Sequence, residues 1–340
     1  MATTDIYHDI QAGLVEKRQA LNEFLEVASE VEKDICLCED ETCIDEHLHV
    51  IDESLGKLEN GTLGICEVCH GLVDLGLLEM DYTASVCLEH YSDDERRRLE
   101  SELELSQIVQ RALMPHRAPV IAGVEVAAFS RPAEIIGGDY FDFFKFKDGA
   151  HGLVIADVSG HGVSAAMLMS SLQTALQTMA PDTDSPAEIL ERINRFYIHN
   201  IRFTTFVTVF LARYDSNSRT LTYVNSGHNP PAVLRKNGSG IDWLTRTAPA
   251  IGLAEEYFPR TETVRLLEGD ALLLYTDGVT EAFNNDMQQF GQERLAEFIQ
   301  NAAGLTVSEM LQVVRQGLSA YSGNVPLTDD LTLVAFKVSG

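Results

Sequence analysis

Two apolar runs in this 340-residue chain end on an aspartate followed at once by small or glycine residues: GLVIADVSGHG at 152–162 and ALLLYTDGVTEAF at 271–283. Leu153, Val154 and Ile155 read as a fully buried strand, which places the Asp157 carboxylate at the rim of a core, where an unpaired charge is costly. Asp277 occupies the same place in the second run. IIGGDYFDFF sets Asp139 after a glycine pair, and LTDDLTLVAF sets Asp329 and Asp330 before the last apolar run. Each alone reads as a turn, because Asp and Gly are common turn residues. Together, four strand ends presenting carboxylates can converge on one sheet edge, where their mutual repulsion calls for divalent cations. Ligands that are all oxygen select hard ions, Mg²⁺ or Mn²⁺ rather than zinc. Two such ions about 3.5–4 Å apart would acidify a bridging water and clamp a phosphoryl group.

The chain around these carboxylates alternates in texture. From Val120 onward, VEVAAFS, YFDFFKF, GLVIADV, FTTFVTVFLARY, TLTYVNS, PPAVLR, ALLLYTD and LTLVAFKV read as strands, with a hairpin turn at Asp215–Ser218. Helices are predicted near 163–180, 186–199, 292–302 and 306–321. Strands and helices are grouped rather than strictly alternating, so the fold class is α+β with a largely antiparallel sheet. Upstream, Leu14, Leu21, Ala28 and Ile35, with Phe24 and Val31 between them, give the seven-residue spacing of a helix with one buried seam. Ile44, Leu48, Ile51, Leu55 and Leu58 give a second helix, and the polar CEDET between them gives a turn. Residues 1–61 are therefore expected to form a helical hairpin closed by Asn60 and Gly61. Ser92 with Glu95 resembles a capping box and opens a connector helix over 92–115, whose apolar residues run from Leu99 to Leu113 before Pro115.

The formal charge of −27 is uneven: residues 1–100 hold 7 Lys+Arg against 25 Asp+Glu, which argues against a nucleic-acid surface there. No apolar run approaches the roughly 20 residues that cross a bilayer, and the first ten residues lack the pattern of a signal peptide. The expected setting is cytoplasmic, with no membrane contact. All six cysteines lie in the first hundred residues, which in a cytosolic chain favours metal over disulfides. Cys66, Cys69, Cys87 and His90 give C-x₂-C-x₁₇-C-x₂-H, the spacing of a tetrahedral site for one structural Zn²⁺ over residues 62–91. Cys36, Cys38 and Cys43, with His47 and His49 nearby, read equally as a second metal or redox site or as thiols without a partner. His70 reads as an exposed residue of the finger.

Five ordered segments, GGDYFDFF, IADVSGHGVSAAMLM, NSGHNPP, LLLYTDGVTEAFN and TDDLTLVAFKV, resemble the PPM-type metal-dependent protein serine/threonine phosphatases, specifically the SpoIIE/RsbU branch, over about residues 105–338. The resemblance implies a β-sandwich flanked by helices over 116–340, with two Mn²⁺ or Mg²⁺ in a cleft at one edge. It implies Asp139 and Asp157 as catalytic ligands near both ions, the Val158 carbonyl as a backbone ligand, and Asp277 and Asp329 as the remaining carboxylates, with Asp330 adjacent. A general-acid role for His161 does not carry over, because Ser159 stands at the offset the family's histidine occupies. His228 and Asn229 are expected to shape a turn. The implied activity is hydrolysis of phosphoserine or phosphothreonine, a phosphoric monoester, on a STAS-type anti-sigma-factor antagonist. A connector helix at this position implies a homodimer coupled to the regulatory module. Residues 50–91 resemble the DksA/TraR zinc-finger family, whose hairpin tip can enter RNA polymerase; Glu39, Asp40 and Glu41 sit at the expected tip. The alternative reading is therefore a transcription regulator acting on RNA polymerase, with the phosphatase-like domain as scaffold.

Overall fold

In β3 (His151–Val158), Val154 and Ala156 pack against helices while Leu153 and Ile155 pack against another sheet, which is why the run is apolar without alternation. The computed structural model describes Tyr7, Ile10, Gln11, Leu14, Val15, Arg18, Gln19 and Asn22, all helical, then residues 41–73, Leu78, 83–133, 135–160, 162–200, 206–236, 240–323 and 325–339, with the backbone alone at 41–47, 88 and 95. The chain divides into two compact units, Met1–Ser101 and Glu102–Gly340.

The second unit holds two five-stranded sheets with every pairing antiparallel. One runs β1 (Val124–Arg131), β10 (Leu331–Val338), β9 (Ala271–Tyr275), β6 (Ala232–Leu234) and β7 (Ile241–Trp243). The other runs β2 (Tyr140–Lys145), β3, β4 (Val207–Asp215), β5 (Thr220–Ser226) and β8 (Glu262–Arg265). Between the sheets lie Ile155, Phe210, Leu272, Leu274, Val334 and Phe336. The β3 sheet is covered on its other face by α3 (Gly162–Met179) and α4 (Pro186–Asn200), through Met169, Leu172, Leu176, Ile189 and Ile193. The β9 sheet is covered by α6 (Gly291–Asn301) and α7 (Val307–Ser322), through Leu295, Ile299, Val314 and Leu318. The architecture is a helix–sheet–sheet–helix sandwich of the α+β class.

The expected helices fall within a residue or so of the observed ones. Asp215 closes the predicted hairpin turn by accepting from the Asn217 N–H and the Ser218 hydroxyl. Two strands went unread, β7 and β8, because they are three and four residues long and carry little of the apolar signal on which strand reading depends. After β9 the chain does not simply turn: Asp277 opens a short helix, α5 (Asp277–Thr280).

In the first unit, α1 (Glu41–Glu59) ends with Gly61 in the left-handed region at φ 65° and the Thr62 N–H returning to the Lys57 carbonyl. Tyr7 donates to the Leu63 carbonyl at 3.3 Å and Arg18 pairs with Asp52 at 2.8 Å, so the N-terminal helical residues meet α1 in the opposite direction. Leu14 and Ile51 are buried. A helix α2 (Asp93–Leu113) begins directly after Ser92, and the boundary between the units falls inside it; the Glu95 side chain lies outside the described residues.

Candidate metal centre

Side chains alternate along a strand, so Asp157 shares the face of Leu153 and Ile155, and its carboxylate emerges at the open end of the space between the sheets. There it meets Asp277 from the end of β9 and Asp329 from the start of β10. Burial and the charges of Asp277, Asp329, Asp330 and Glu281 push the Asp157 carboxyl up to about 8. Burial, Asp329 and Glu281 push Asp277 up to about 6. Asp139, just ahead of β2, is 6% exposed and held well above the ordinary carboxylate range by burial and by Asp157 and Asp330. One of its oxygens accepts from the Thr276 hydroxyl at 2.8 Å. The structure thus brings Asp139, Asp157, Asp277 and Asp329 to one edge, where the charges acting on Asp157 are all negative.

Asp330 does something different from its neighbour. It is 8% exposed, and its carboxylate accepts from the N–H groups of Ala133 at 2.8 Å, Gly138 at 2.7 Å and Asp139 at 3.3 Å. It pins the loop that carries Asp139, whereas Asp329 acts electrostatically on Asp157 and Asp277. The glycines follow from this crossing. A Cβ on Gly137 would run into the Asp330 carboxylate, and one on Gly278 into the Asp330 backbone. On Gly138 it would press on the Val158 carbonyl at 3.0 Å, so the glycine lets the Asp139 loop close over that oxygen. The loop is also clasped by α2: Gln110 donates to the Gly137 carbonyl at 2.6 Å and accepts from the Gly137 N–H at 3.2 Å, and Gln107 donates to the Ile135 carbonyl.

Sequence reasoning missed four contributors. Glu281 follows Asp277 by four residues in DGVTE, and that spacing was its only signal. Thr276, Gln110 and the anchoring role of Asp330 had none. His161 lies outside the described residues. His228 is 4% exposed and faces inward, and burial pushes its imidazole down to about 3, so it is neutral.

A second group of candidate ligands lies in the first unit. The ligand atoms of Cys66, Cys69, Cys87 and His90 all fall within 4.8 Å of one another. Cys66 Sγ is 3.7 Å from His90 Nδ1, and Cys69 Sγ is 3.8 Å from Cys87 Sγ. Backbone N–H groups around Cys66, Cys69 first, lower its thiol to about 6, while burial and then the neighbouring thiols raise Cys87 to about 12. One thiolate is favoured and a second opposed, the conflict that a dication removes. Val73, Leu78 and Ala84 make the small core beside them. His70 is exposed, as expected. Of the residues read as a second site, Cys36 and Cys38 and the side chains of Cys43 and His47 lie outside the described residues, and His49 is exposed.

The sandwich superposes on the SiaA-PP2C domain of Pseudomonas aeruginosa with a TM-score of 0.63 at 23% identity, covering 72% of this chain and 98% of that one. RsbX in complex with magnesium matches at a TM-score of 0.50 and 17% identity, over 66% of this chain and 99% of that one. Both show the same sandwich fold. The sequence model of Stage II sporulation protein E (SpoIIE) matches residues 147–339, and the chain belongs to that family. Phosphoserine phosphatase RsbU of Bacillus subtilis (strain 168) is 27% identical over 242 residues, 71% of this chain and 71% of RsbU.

Proposed function

We propose that the protein removes phosphate from phosphoserine or phosphothreonine of a regulatory phosphoprotein, with Asp139, Asp157, Asp277, Asp329 and the Val158 carbonyl holding two Mn²⁺ or Mg²⁺. The observation that carries the reading is the convergence of these carboxylates on one edge with their charges unrelieved. The all-oxygen donor set, with the Val158 carbonyl beside the Asp139 loop, fits hard divalent cations. Such ions, when bound, supply positive charge to the phosphoryl oxygens and make water acidic enough to attack near neutral pH. The chain's own part is to hold the carboxylates at fixed spacing: Asp330 anchors the Asp139 loop, and Thr276 orients the Asp139 oxygen. Water then displaces the serine or threonine oxygen from phosphorus, releasing the alcohol and inorganic phosphate. A STAS-type anti-sigma-factor antagonist is the proposed substrate, by likeness to RsbU. Incubating the full chain with Mn²⁺ and phosphorylated STAS proteins from its own genome tests this; turnover supports it, and absence of turnover on all of them rejects the substrate class.

The first unit is read as a regulatory module: a helical hairpin over 1–61 and a DksA/TraR-like finger over 62–91 binding one structural Zn²⁺ through Cys66, Cys69, Cys87 and His90. The ligand atoms within 4.8 Å support it. The helix that follows supports a homodimer. Leu105, Ile108 and Val109 stand exposed on α2 at helical spacing, while Gln107 and Gln110 of the same helix hold the loop ahead of Asp139. A second copy covering that stripe would place pairing of the helices in direct mechanical contact with the metal centre. The proposed setting is cytoplasmic; among the described residues no helix is long and apolar enough to cross a membrane.

A further inference from the structure

The NSGHNPP segment is not among the carboxylate-bearing motifs, yet it touches the strand ends that carry two of them. Asn225 is fully buried; it accepts from the His228 N–H at 2.9 Å and donates to the Leu244 carbonyl at 3.0 Å. Gly227 sits at φ 75°, and a Cβ there would press on Ala250 at 3.0 Å, so the turn has one shape and swings His228 inward. His228 Nδ1 lies 2.8 Å from the Thr208 hydroxyl. Thr208 is the cross-strand partner of Asp157 on β4, and its hydroxyl is 3.4 Å from the Asp157 carbonyl. The other ring nitrogen, Nε2, is buried and makes no hydrogen bond among the described residues. The next residue, Asn229, is 3.4 Å from the Thr280 hydroxyl, which itself donates to the Asp277 carbonyl at 3.2 Å.

β4 and β9 belong to different sheets, so no backbone ladder sets the distance between them. Only side chains crossing the gap can do so. An apolar residue would fill the same volume without burying two ring nitrogens, one of them unbonded, so the imidazole is a costly filler unless its bond to Thr208 serves a purpose. We propose that His228 is a positioning residue for the phosphatase reaction: it ties Thr208, beside Asp157, to the turn whose next residue, Asn229, reaches Thr280 behind Asp277, a strut that fixes the separation of the two carboxylates. The proposal rests on the metal-centre reading above.

The test follows p-nitrophenyl phosphate turnover by the full chain against Mn²⁺ concentration for His228→Leu, Thr208→Val, their double variant, Thr208→Ser and Asp157→Asn. Groups that orient metal ligands typically change metal affinity about 10–100-fold when removed. His228→Leu and Thr208→Val are each expected to raise the half-saturating Mn²⁺ by that factor. The double variant should be no worse than the stronger single, because both break one strut, and Thr208→Ser, which keeps the hydroxyl, should recover most of the metal response. Should His228→Leu fail to fold, Thr208→Val decides alone. A half-saturating Mn²⁺ within about 2-fold of wild type in Thr208→Val overturns the proposal, as does a loss confined to thermal stability. If Asp157→Asn retains turnover, the metal-centre reading fails and the strut with it. If Asp157→Asn is dead while Thr208→Val keeps the wild-type metal curve, only the strut is wrong.

Discussion

Asp157 and Asp277 carry carboxyls raised to about 8 and about 6 in the absence of metal. A carboxyl raised on folding makes the native state bind protons that the unfolded chain has already released. Stability of the metal-free protein therefore falls as pH rises from about 4 toward 8. Thermal melts of chelated protein at pH 5 and pH 8 should show the lower melting temperature at pH 8. A domain of this size moves about 2–4 °C per kcal/mol, and saturating Mn²⁺ should flatten the trend, because the cations take over the charge. An equal or higher melting point at pH 8 without metal would contradict the repulsion described. At the same scale, Asp157→Asn and Asp277→Asn each remove an anionic ligand while nearly keeping its shape. Both should abolish Mn²⁺-dependent turnover with the fold intact by circular dichroism, and near-normal turnover in either would remove it from the ligand set.

At the scale of elements, the Asp139 loop is held from two sides, by Asp330 ahead of β10 and by Gln110 of α2. The two bonds of Gln110 to Gly137 are worth about 1 kcal/mol each. Gln110→Ala should then loosen the loop by a factor of roughly 10–30, read as a matching fall in turnover at limiting Mn²⁺ that high Mn²⁺ repairs. A fall that no amount of Mn²⁺ repairs would mean that the helix does not act through the Asp139 ligand. The capping box of α7, Thr306 with Glu309, offers a contrast on the opposite kind of element. Thr306→Ala should lower stability by about 1 kcal/mol in urea unfolding and leave the metal response of the enzyme unchanged.

The whole molecule joins an acidic, cysteine-bearing unit to a phosphatase sandwich through one helix. The zinc proposed at Cys66, Cys69, Cys87 and His90 would be structural, because four protein ligands leave no open position for chemistry. Elemental analysis should find about one zinc per chain, lost in the Cys66→Ser and Cys69→Ser double variant; unchanged zinc in that variant would refute the site. Light scattering of the full chain against one beginning at Gly123, with their turnover rates, tests the dimer and its coupling. A monomeric full chain would reject the dimer, and a shorter chain that matches it in rate and Mn²⁺ requirement would show that α2 does not act on the metal centre.

Local pattern carried the sequence reading a long way. Continuous apolar runs mark strands buried on both faces, and an aspartate at the end of such a run must meet something. That reasoning led to Asp157 and Asp277; the place of Asp139 after a glycine pair, the all-oxygen character of the set and the spacing of the cysteines and His90 supplied Asp139, the hard-ion chemistry and the C-x₂-C-x₁₇-C-x₂-H group. β7 and β8 were invisible because three or four residues with little apolar signal look like loop until their partner strands recruit them. The choice between Asp329 and Asp330 could not be made from a doublet, since adjacent residues of an extended chain point to opposite sides. It took the crossing of the Gly137–Asp139 loop over β10 to turn one into an anchor. Gln110, Glu281, Thr276 and the inward turn of His228 were likewise decided by the tertiary structure. Their partners lie on other elements, and contacts of that kind leave no periodicity in the chain that makes them.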